Sequence, residues 1–344
     1  VADMDFQVAE PIREALLKRV SHGIFGYTAV PDSYYDAVIN WFTRRHGWTM
    51  KKEWIIYTSG VVPAISAIIK AMTQPGGQVL VQNPVYNCFF SSIRNNGCEI
   101  VSNDLVYADL TYTIDFEDFE QKASNPKCKV FLLCNPHNPA GRVWTPAELR
   151  KMGEICLKHN VFVIADEIHC ELMMPGYKYT PYASLGEEFL MNCAVCTSPT
   201  KNFNIAGLQI SNITAADADI RQRIDRAINI NEVCDVNPFG VVALQAAYNE
   251  SEDWLEQLLE YLFGNYQCLC DFMKNNLPEL PVIKLEGTYL AWVDCTALNM
   301  PSQQIEDLLM ENGLWLNAGI HYGQAGDSFV RINLACPRSV LKEG

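Results

Sequence analysis

An α/β protein is predicted, with a mostly parallel sheet covered by helices on both faces and a smaller α+β domain beside it. Three observations in the 344-residue sequence lead to this class. From Trp54 to Ser198 short apolar runs alternate with helical patterns, and past Pro238 the order of elements changes. Each apolar run of the first region also ends in a cluster of small or polar residues. Strands separated by helices need crossover connections, and crossovers place helices over both faces of a parallel sheet.

The expected strands are Trp54–Tyr57, Val79–Val81, Val130–Cys134, Phe162–Ala165 and Ala194–Cys196. Helical spacing covers Pro63–Met72, Pro146–His159 and, less regularly, Phe116–Lys122. Thr145-Pro146-Ala147-Glu148 opens its helix with a capping threonine, a proline at the first helical position and a glutamate at the third. Beyond Pro238 come helices over Phe239–Asn249 and Trp254–Asn275, the second of about six turns by its length. A strand (Thr288–Val293), a helix (Ser302–Asn312) and a strand (Phe329–Leu334) follow. The length suits two domains: a large one over residues 21–252 and a small one from residues 1–20 and 253–344.

Composition excludes several classes of function. Hydrophobic residues make up 49% and charged residues 19%, as in a folded globular chain. The formal charge of −14 is spread over a solvated acidic surface, and no basic stripe is present to meet a phosphate backbone, so no nucleic acid partner is expected. No apolar run is long enough to span a bilayer, so no membrane partner is expected either. The opening Val1-Ala2-Asp3-Met4-Asp5 has neither basic stretch nor apolar core, which points to a cytoplasmic location. Val1 in place of an initiator Met points to a trimmed or processed chain. Most of the thirteen cysteines lie in apolar runs and read as small buried hydrophobes in a reducing compartment. Cys193-Ala194-Val195-Cys196 has metal or redox spacing, but no second pair complements it, and a strand interior explains it better.

In parallel sheets ligands bind beyond the carboxyl ends of the strands. The five apolar runs are followed in turn by Thr58-Ser59-Gly60-Val61-Val62, Gln82-Asn83-Pro84-Val85-Tyr86, Asn135–Gly141, Asp166-Glu167-Ile168-His169 and Thr197-Ser198-Pro199-Thr200-Lys201. One rim thus receives an anion cradle, an aromatic ring, an amide, a carboxylate and an amine. Ser59-Gly60 before a helix suits a phosphate on free backbone N–H groups. No Gly-x-x-x-x-Gly-Lys-Ser/Thr or Gly-x-Gly-x-x-Gly loop is present to bind a nucleotide, and no His-Glu-x-x-His to bind a metal, so no metal is expected at Asp166, Glu167 and His169. A lysine at a buried strand end loses hydration and needs a partner or a reaction, and a Schiff base on Lys201 answers that need. A surface lysine lying along the protein is the alternative, which the neighbouring residues disfavour.

At these residues the sequence resembles fold-type I pyridoxal-phosphate (PLP) enzymes of the class I/II aminotransferase superfamily, and among them the MalY/PatB-type cystathionine β-lyases. The resemblance is carried by Val1-Ala2-Asp3-Met4-Asp5-Phe6, Phe25-Gly26-Tyr27-Thr28, Asn135–Trp144, Asp166–Leu172 and Ser198–Gln209, and it runs the whole length. It implies that Lys201 carries PLP as a Schiff base and that Asp166 pairs with the pyridinium nitrogen. It implies that Asn138, with His169 beside it, bonds the ring 3-oxygen, while Tyr86 stacks on one ring face and Ile168 packs on the other. Ser198 and the backbone of Gly60, Val61 and Val62 then hold the phosphate. Arg331 grips the α-carboxylate of an amino acid substrate through its planar fork. The plainer readings are an exposed ion pair for Arg331 and core packing for Tyr86 and His169. The resemblance also implies a homodimer in which Tyr27 reaches the neighbouring site.

Two features depart from the family pattern. Gln209 stands where many class I aminotransferases place a phosphate-binding arginine, eight residues after the lysine. Relatives also have longer arms at both ends, so a shortened chain is expected. The function expected is a PLP-dependent carbon–sulfur β-lyase that releases a thiol, pyruvate and ammonia from cystathionine or cysteine-type substrates. The alternatives are an aminotransferase acting on an amino acid and a 2-oxo acid, and a regulatory binding protein that keeps the fold.

Overall fold

In chain order the strands are β1 (Ile55–Thr58), β2 (Gln78–Val81), β3 (Glu99–Ser102), β4 (Val106–Ala108), β5 (Thr111–Thr113), β6 (Cys128–Cys134), β7 (Phe162–Asp166), β8 (Cys193–Thr197), β9 (Ser211–Thr214), β10 (Leu290–Asp294), β11 (Asn317–Ala318) and β12 (Phe329–Asn333). They come from a computed structural model that describes residues 2–232 and 235–344; Val1, at the head of the Val-Ala-Asp-Met-Asp-Phe segment, lies outside the described residues. Seven strands form the main sheet in the order β1-β9-β8-β7-β6-β2-β3. Strands β8, β7, β6, β2 and β3 pair in parallel, whereas β9 is antiparallel to both β8 and β1. The five strands expected from the sequence therefore all run in one direction, and their carboxyl ends share one edge.

The reversed β9 was not among the expected strands. Ser211-Asn212-Ile213-Thr214 carries no apolar run, yet all four residues are buried. One buried polar atom finds a distant partner: Tyr34 donates its hydroxyl to Asn212 Oδ1 at 2.8 Å, while Asn212 Nδ2 and Ser211 Oγ are buried without a protein partner. Its burial depends on partners remote in the sequence, so no local pattern announces it.

Alternation along the strands divides the core. Phe131, Leu133, Val163, Ala165, Cys193 and Val195 join one cluster with Trp41 and Trp144. Val130, Leu132, Phe162, Ile164, Ala194 and Cys196 face the other way, onto a helix at Val61–Met72. Cys193 and Cys196, three apart on a strand, thus point to opposite faces. That separation removes the chelating geometry which their spacing alone suggests.

The helix Pro146–Lys158 has the full capping box between Thr145 and Glu148. The helix Glu252–Asn276 has 25 residues and begins two residues earlier than its apolar spacing suggests, with Glu252 and Asp253 in its first turn. Acidic groups there offset the positive end of the helix dipole. Strands β10, β12 and β11 form a second, antiparallel sheet with its own core around Ala291, Val293, Ile305 and Val330. Strand β10 starts at Leu290 rather than Thr288 because Thr288 sits at φ 72, outside the extended region. The N-terminal segment crosses between the two parts: Asp5 N–H donates to Ala335 O at 2.9 Å, and Asn204 Nδ2 donates to Met4 O at 2.9 Å and Phe6 O at 2.8 Å. Among the described residues no helix is long and apolar enough to cross a membrane.

Candidate active site

Asp166 closes β7, paired with Cys134 of β6 on one side and Cys196 of β8 on the other. Its carboxylate is buried and accepts the N–H of Ile168 at 3.2 Å. Burial pushes its pKa up to about 7, against the pull of that N–H and of Lys201. Lys201 follows β8 in the turn that begins at Ser198, and its Nζ donates to Ala2 O at 2.9 Å. Burial holds the amine below its ordinary pKa; Arg331 adds to that shift, and Asp3 and Asp166 oppose it. Burial therefore pushes both groups toward their neutral forms, a signature of sites that move protons.

Asn138 and Arg331, 193 residues apart, meet here: Arg331 Nη1 donates to Asn138 Oδ1 at 3.3 Å. Arg331 comes from β12, and its Nη2 donates to Asn317 Oδ1 of β11 at 2.8 Å. Its Cζ lies 4.9 Å from the Tyr322 ring centroid, and its buried Nε has no protein partner. Arg331 is thus buried rather than in an exposed ion pair. His169 is buried as well, packs edge-on to Tyr289 and has an unpartnered Nδ1. Burial, with Lys201 and Arg331 nearby, brings its pKa down to about 3, so the imidazole is neutral.

Tyr86 is half-buried beyond β2, edge-on to Phe89 at 5.9 Å, and burial raises its hydroxyl pKa. Ile168 is half-buried against the apolar cluster under the same edge. Ser198 is fully buried; its hydroxyl donates to Ile210 O at 2.6 Å and accepts the Thr200 N–H at 3.1 Å. Helix Val61–Met72 starts at Gly60, with no side-chain cap and no acidic residue in its first turn. The first N–H groups of a helix have no intrahelical acceptor, so this end suits an anion.

Tyr27 is the exception. It is 99% exposed, on a loop where Ile24 and Phe25 are also exposed. Gln209 is exposed too, in a left-handed turn after Ala206–Leu208. Four residues at the edge carried no expected role. Asn204 straps the N-terminal segment, Tyr289 donates its hydroxyl to Ala2 O at 2.8 Å, and Asn317 and Tyr322 hold Arg331. Asn204 lies inside the Ser198–Gln209 segment and could have been singled out there; the others follow no local pattern.

Near the same edge, Asn83 Oδ1, His169 Nδ1, Thr197 Oγ1 and Arg331 Nε are buried without protein partners. Native proteins rarely leave such groups unpaired, and here they surround an amine, a carboxylate and a bare helix end. PLP carries an aldehyde for an amine, a ring nitrogen for a carboxylate, a 3-oxygen for amide or imidazole, and a phosphate for the helix end. The residues present fit it.

This fold, with a lysine and an aspartate at neighbouring strand ends, defines a class of enzymes built to hold PLP on a lysine. The family described as aminotransferase class I and II matches residues 2–344, and the chain belongs to it. The cystathionine β-lyase PatB of Bacillus subtilis (strain 168) is 42% identical over 345 residues, which span 100% of this chain and 89% of that protein. Cystalysin of Treponema denticola, which contains a pyridoxal 5'-phosphate cofactor, aligns with a TM-score of 0.98 at 37% identity, over 100% of this chain and 87% of its own. A PLP-bound C-S lyase of Staphylococcus hominis aligns with a TM-score of 0.93 at 32% identity, over 100% of this chain and 90% of its own.

Proposed function

We propose that the protein is a PLP-dependent carbon–sulfur β-lyase that cleaves cystathionine or a cysteine-type amino acid to a thiol, pyruvate and ammonia. The observation that carries this reading is the meeting of Lys201, Asp166 and Arg331 at one buried edge, although they lie far apart in sequence. Lys201 would hold the cofactor, Asp166 would face its ring nitrogen, and Asn138 with His169 its 3-oxygen. Tyr86 and Ile168 would flank the ring. Ser198 and the Gly60, Val61 and Val62 backbone would take the phosphate. Bound PLP supplies an electron sink that stabilises negative charge at the substrate Cα.

The chain's own residues supply binding and proton transfer. Arg331 orients the substrate by its α-carboxylate, a charge-assisted and geometrically specific contact. Once the substrate's own amine has taken its place, the freed amine of Lys201, lowered in pKa by burial, would accept the proton at Cα. Breaking the Cβ–S bond then sends the electron pair to sulfur, which would take the proton back from Lys201 and leave as the thiol, and addition of water to the remaining fragment yields pyruvate and ammonia. The preference for elimination over amino-group transfer rests on the kinship with PatB and on Gln209 in place of a phosphate-anchoring arginine.

The exposed Ile24, Phe25 and Tyr27 support a homodimer in which Tyr27 completes the neighbouring site. A domain of residues 21–252 would hold the cofactor, and one of residues 1–20 with 253–344 would bring Arg331. A cytoplasmic location suits the many unpaired cysteines. The test is turnover of L-cystathionine as sole substrate. The expected result is sustained release of homocysteine and pyruvate without any added keto acid. A single turnover that resumes only when a 2-oxo acid is supplied would replace the lyase with an aminotransferase.

A further inference from the structure

We propose that Glu167 is a positioning residue for the cofactor: its buried carboxylate ties the loop that carries Asn138 to the strand end that carries Asp166. It would thereby fix the spacing of the two groups that face the ring's 3-oxygen and nitrogen. The inference rests on the PLP reading above and names a residue that this reading leaves without a role.

Glu167 directly follows Asp166, and strand alternation turns the two side chains to opposite faces. Its backbone N–H donates to Cys196 O at 2.9 Å, continuing the ladder between β7 and β8. The side chain is fully buried. Its Oε1 accepts Asn135 Nδ2 at 3.0 Å and the Tyr182 N–H at 2.9 Å, and its Oε2 accepts the Tyr179 hydroxyl in a short bond. Asn135 is held from three sides, since its Nδ2 also donates to Thr180 O at 3.1 Å and its backbone N–H to Asp166 O at 2.9 Å. Three residues further along the same loop stands Asn138.

These partners are all neutral: an amide, a phenol and a backbone N–H. A buried carboxylate without a countercharge is costly, and an apolar side chain of similar size would avoid that cost. What the carboxylate adds is reach in three directions at once, joining β6, β7 and the 179–182 segment where Asp166 and Asn138 emerge. Groups behind the residues that touch a cofactor set their orientation, and loose support there lowers affinity and distorts the site.

The experiment compares Glu167→Leu, Glu167→Gln and Asn135→Ala with wild type. Three properties are measured: the dissociation constant for PLP from titration of the apoprotein, the visible spectrum of the bound cofactor, and the apoprotein melting temperature. Glu167→Leu should weaken PLP binding roughly tenfold and shift the visible band, as the loss of an outer-shell partner does at other sites. Glu167→Gln keeps an acceptor toward Asn135 and Tyr182 and should restore affinity and spectrum to near wild type. Asn135→Ala cuts only the tie between the loops, and should cause a smaller loss in the same direction with little change in apoprotein melting. Asn135→Ala also keeps the idea open to refutation where Glu167→Leu fails to fold. Wild-type affinity and spectrum in Glu167→Leu or Asn135→Ala would overturn the proposal while leaving the PLP reading intact. A wild-type protein that binds no PLP would remove that reading, and this inference with it.

Discussion

Asp166 at the end of β7 and Glu171 in the turn beyond it stand five residues apart, both are buried, and they are treated in opposite ways. Glu171 is saturated: Trp41 Nε1 donates to it at 2.7 Å, Arg45 Nε at 2.9 Å, and His46 Nε2 lies 2.7 Å away. Burial alone would raise its pKa, but His46, Arg45 and Trp41 together hold it below the ordinary carboxylate value. His46, Cys170 and Glu171 come close enough together to resemble a metal site, yet the carboxylate already has these three donors. Asp166 has one backbone N–H and is pushed up to about 7. The fold can pair a buried carboxylate when it needs only stability. Where it leaves one underpaired beside a desolvated lysine, the arrangement is the kind that functional sites use, in keeping with the role proposed above for Asp166.

The sharpest test of that contrast is Lys201→Ala. It should lower turnover of L-cystathionine by roughly a thousandfold or more, as loss of a proton-transfer group does, without lowering the melting temperature of the apoprotein. Pyruvate release and thermal unfolding measure the two effects. A variant that loses activity only in proportion to its stability would assign Lys201 to the framework. Next comes Glu171→Ala, which should reverse the pattern. Breaking a buried pair costs about 3 kcal/mol of stability, while the fraction that stays folded keeps cofactor and turnover. Denaturant unfolding gives the first quantity and activity per bound PLP the second.

The smallest expected effect is in pH dependence, where the signs should differ. Burial raises both Asp166 and Glu167 to about 7. The stability they contribute to the apoprotein is full below the ordinary carboxylate range and is lost as pH rises through 7. The slope is roughly 1 kcal/mol per pH unit for each group between pH 5 and 7. Glu171, lowered instead, contributes stability above that range and loses it as pH falls. Asp166→Asn should therefore flatten the decline of apoprotein melting temperature between pH 5 and 8, and Glu171→Gln should leave that decline unchanged. Equal declines in wild type and Asp166→Asn would show that the carboxylate is not held protonated.

Much of this was readable before any coordinates, for a local reason. Alternation along a strand, a capping box at Thr145 and Glu148, and the small or polar residues after each apolar run are properties of a few neighbouring residues. They determined the five strands that run in one direction, and the standing of Asp166 and Lys201 at their carboxyl edge. The tertiary structure alone decided what depends on closing the chain over long distances. It reversed β9, a buried strand of polar residues in which Asn212 accepts the hydroxyl of the remote Tyr34. It set Arg331 on Asn138 across 193 residues, and wrapped Glu167 in three donors from two other segments. It also left Tyr27 facing outward, where no pattern within one chain could assign it a contact. Local geometry repeats every two or 3.6 residues and is written in order along the sequence. Which distant donor satisfies a buried acceptor has no period, and only the folded chain decides it.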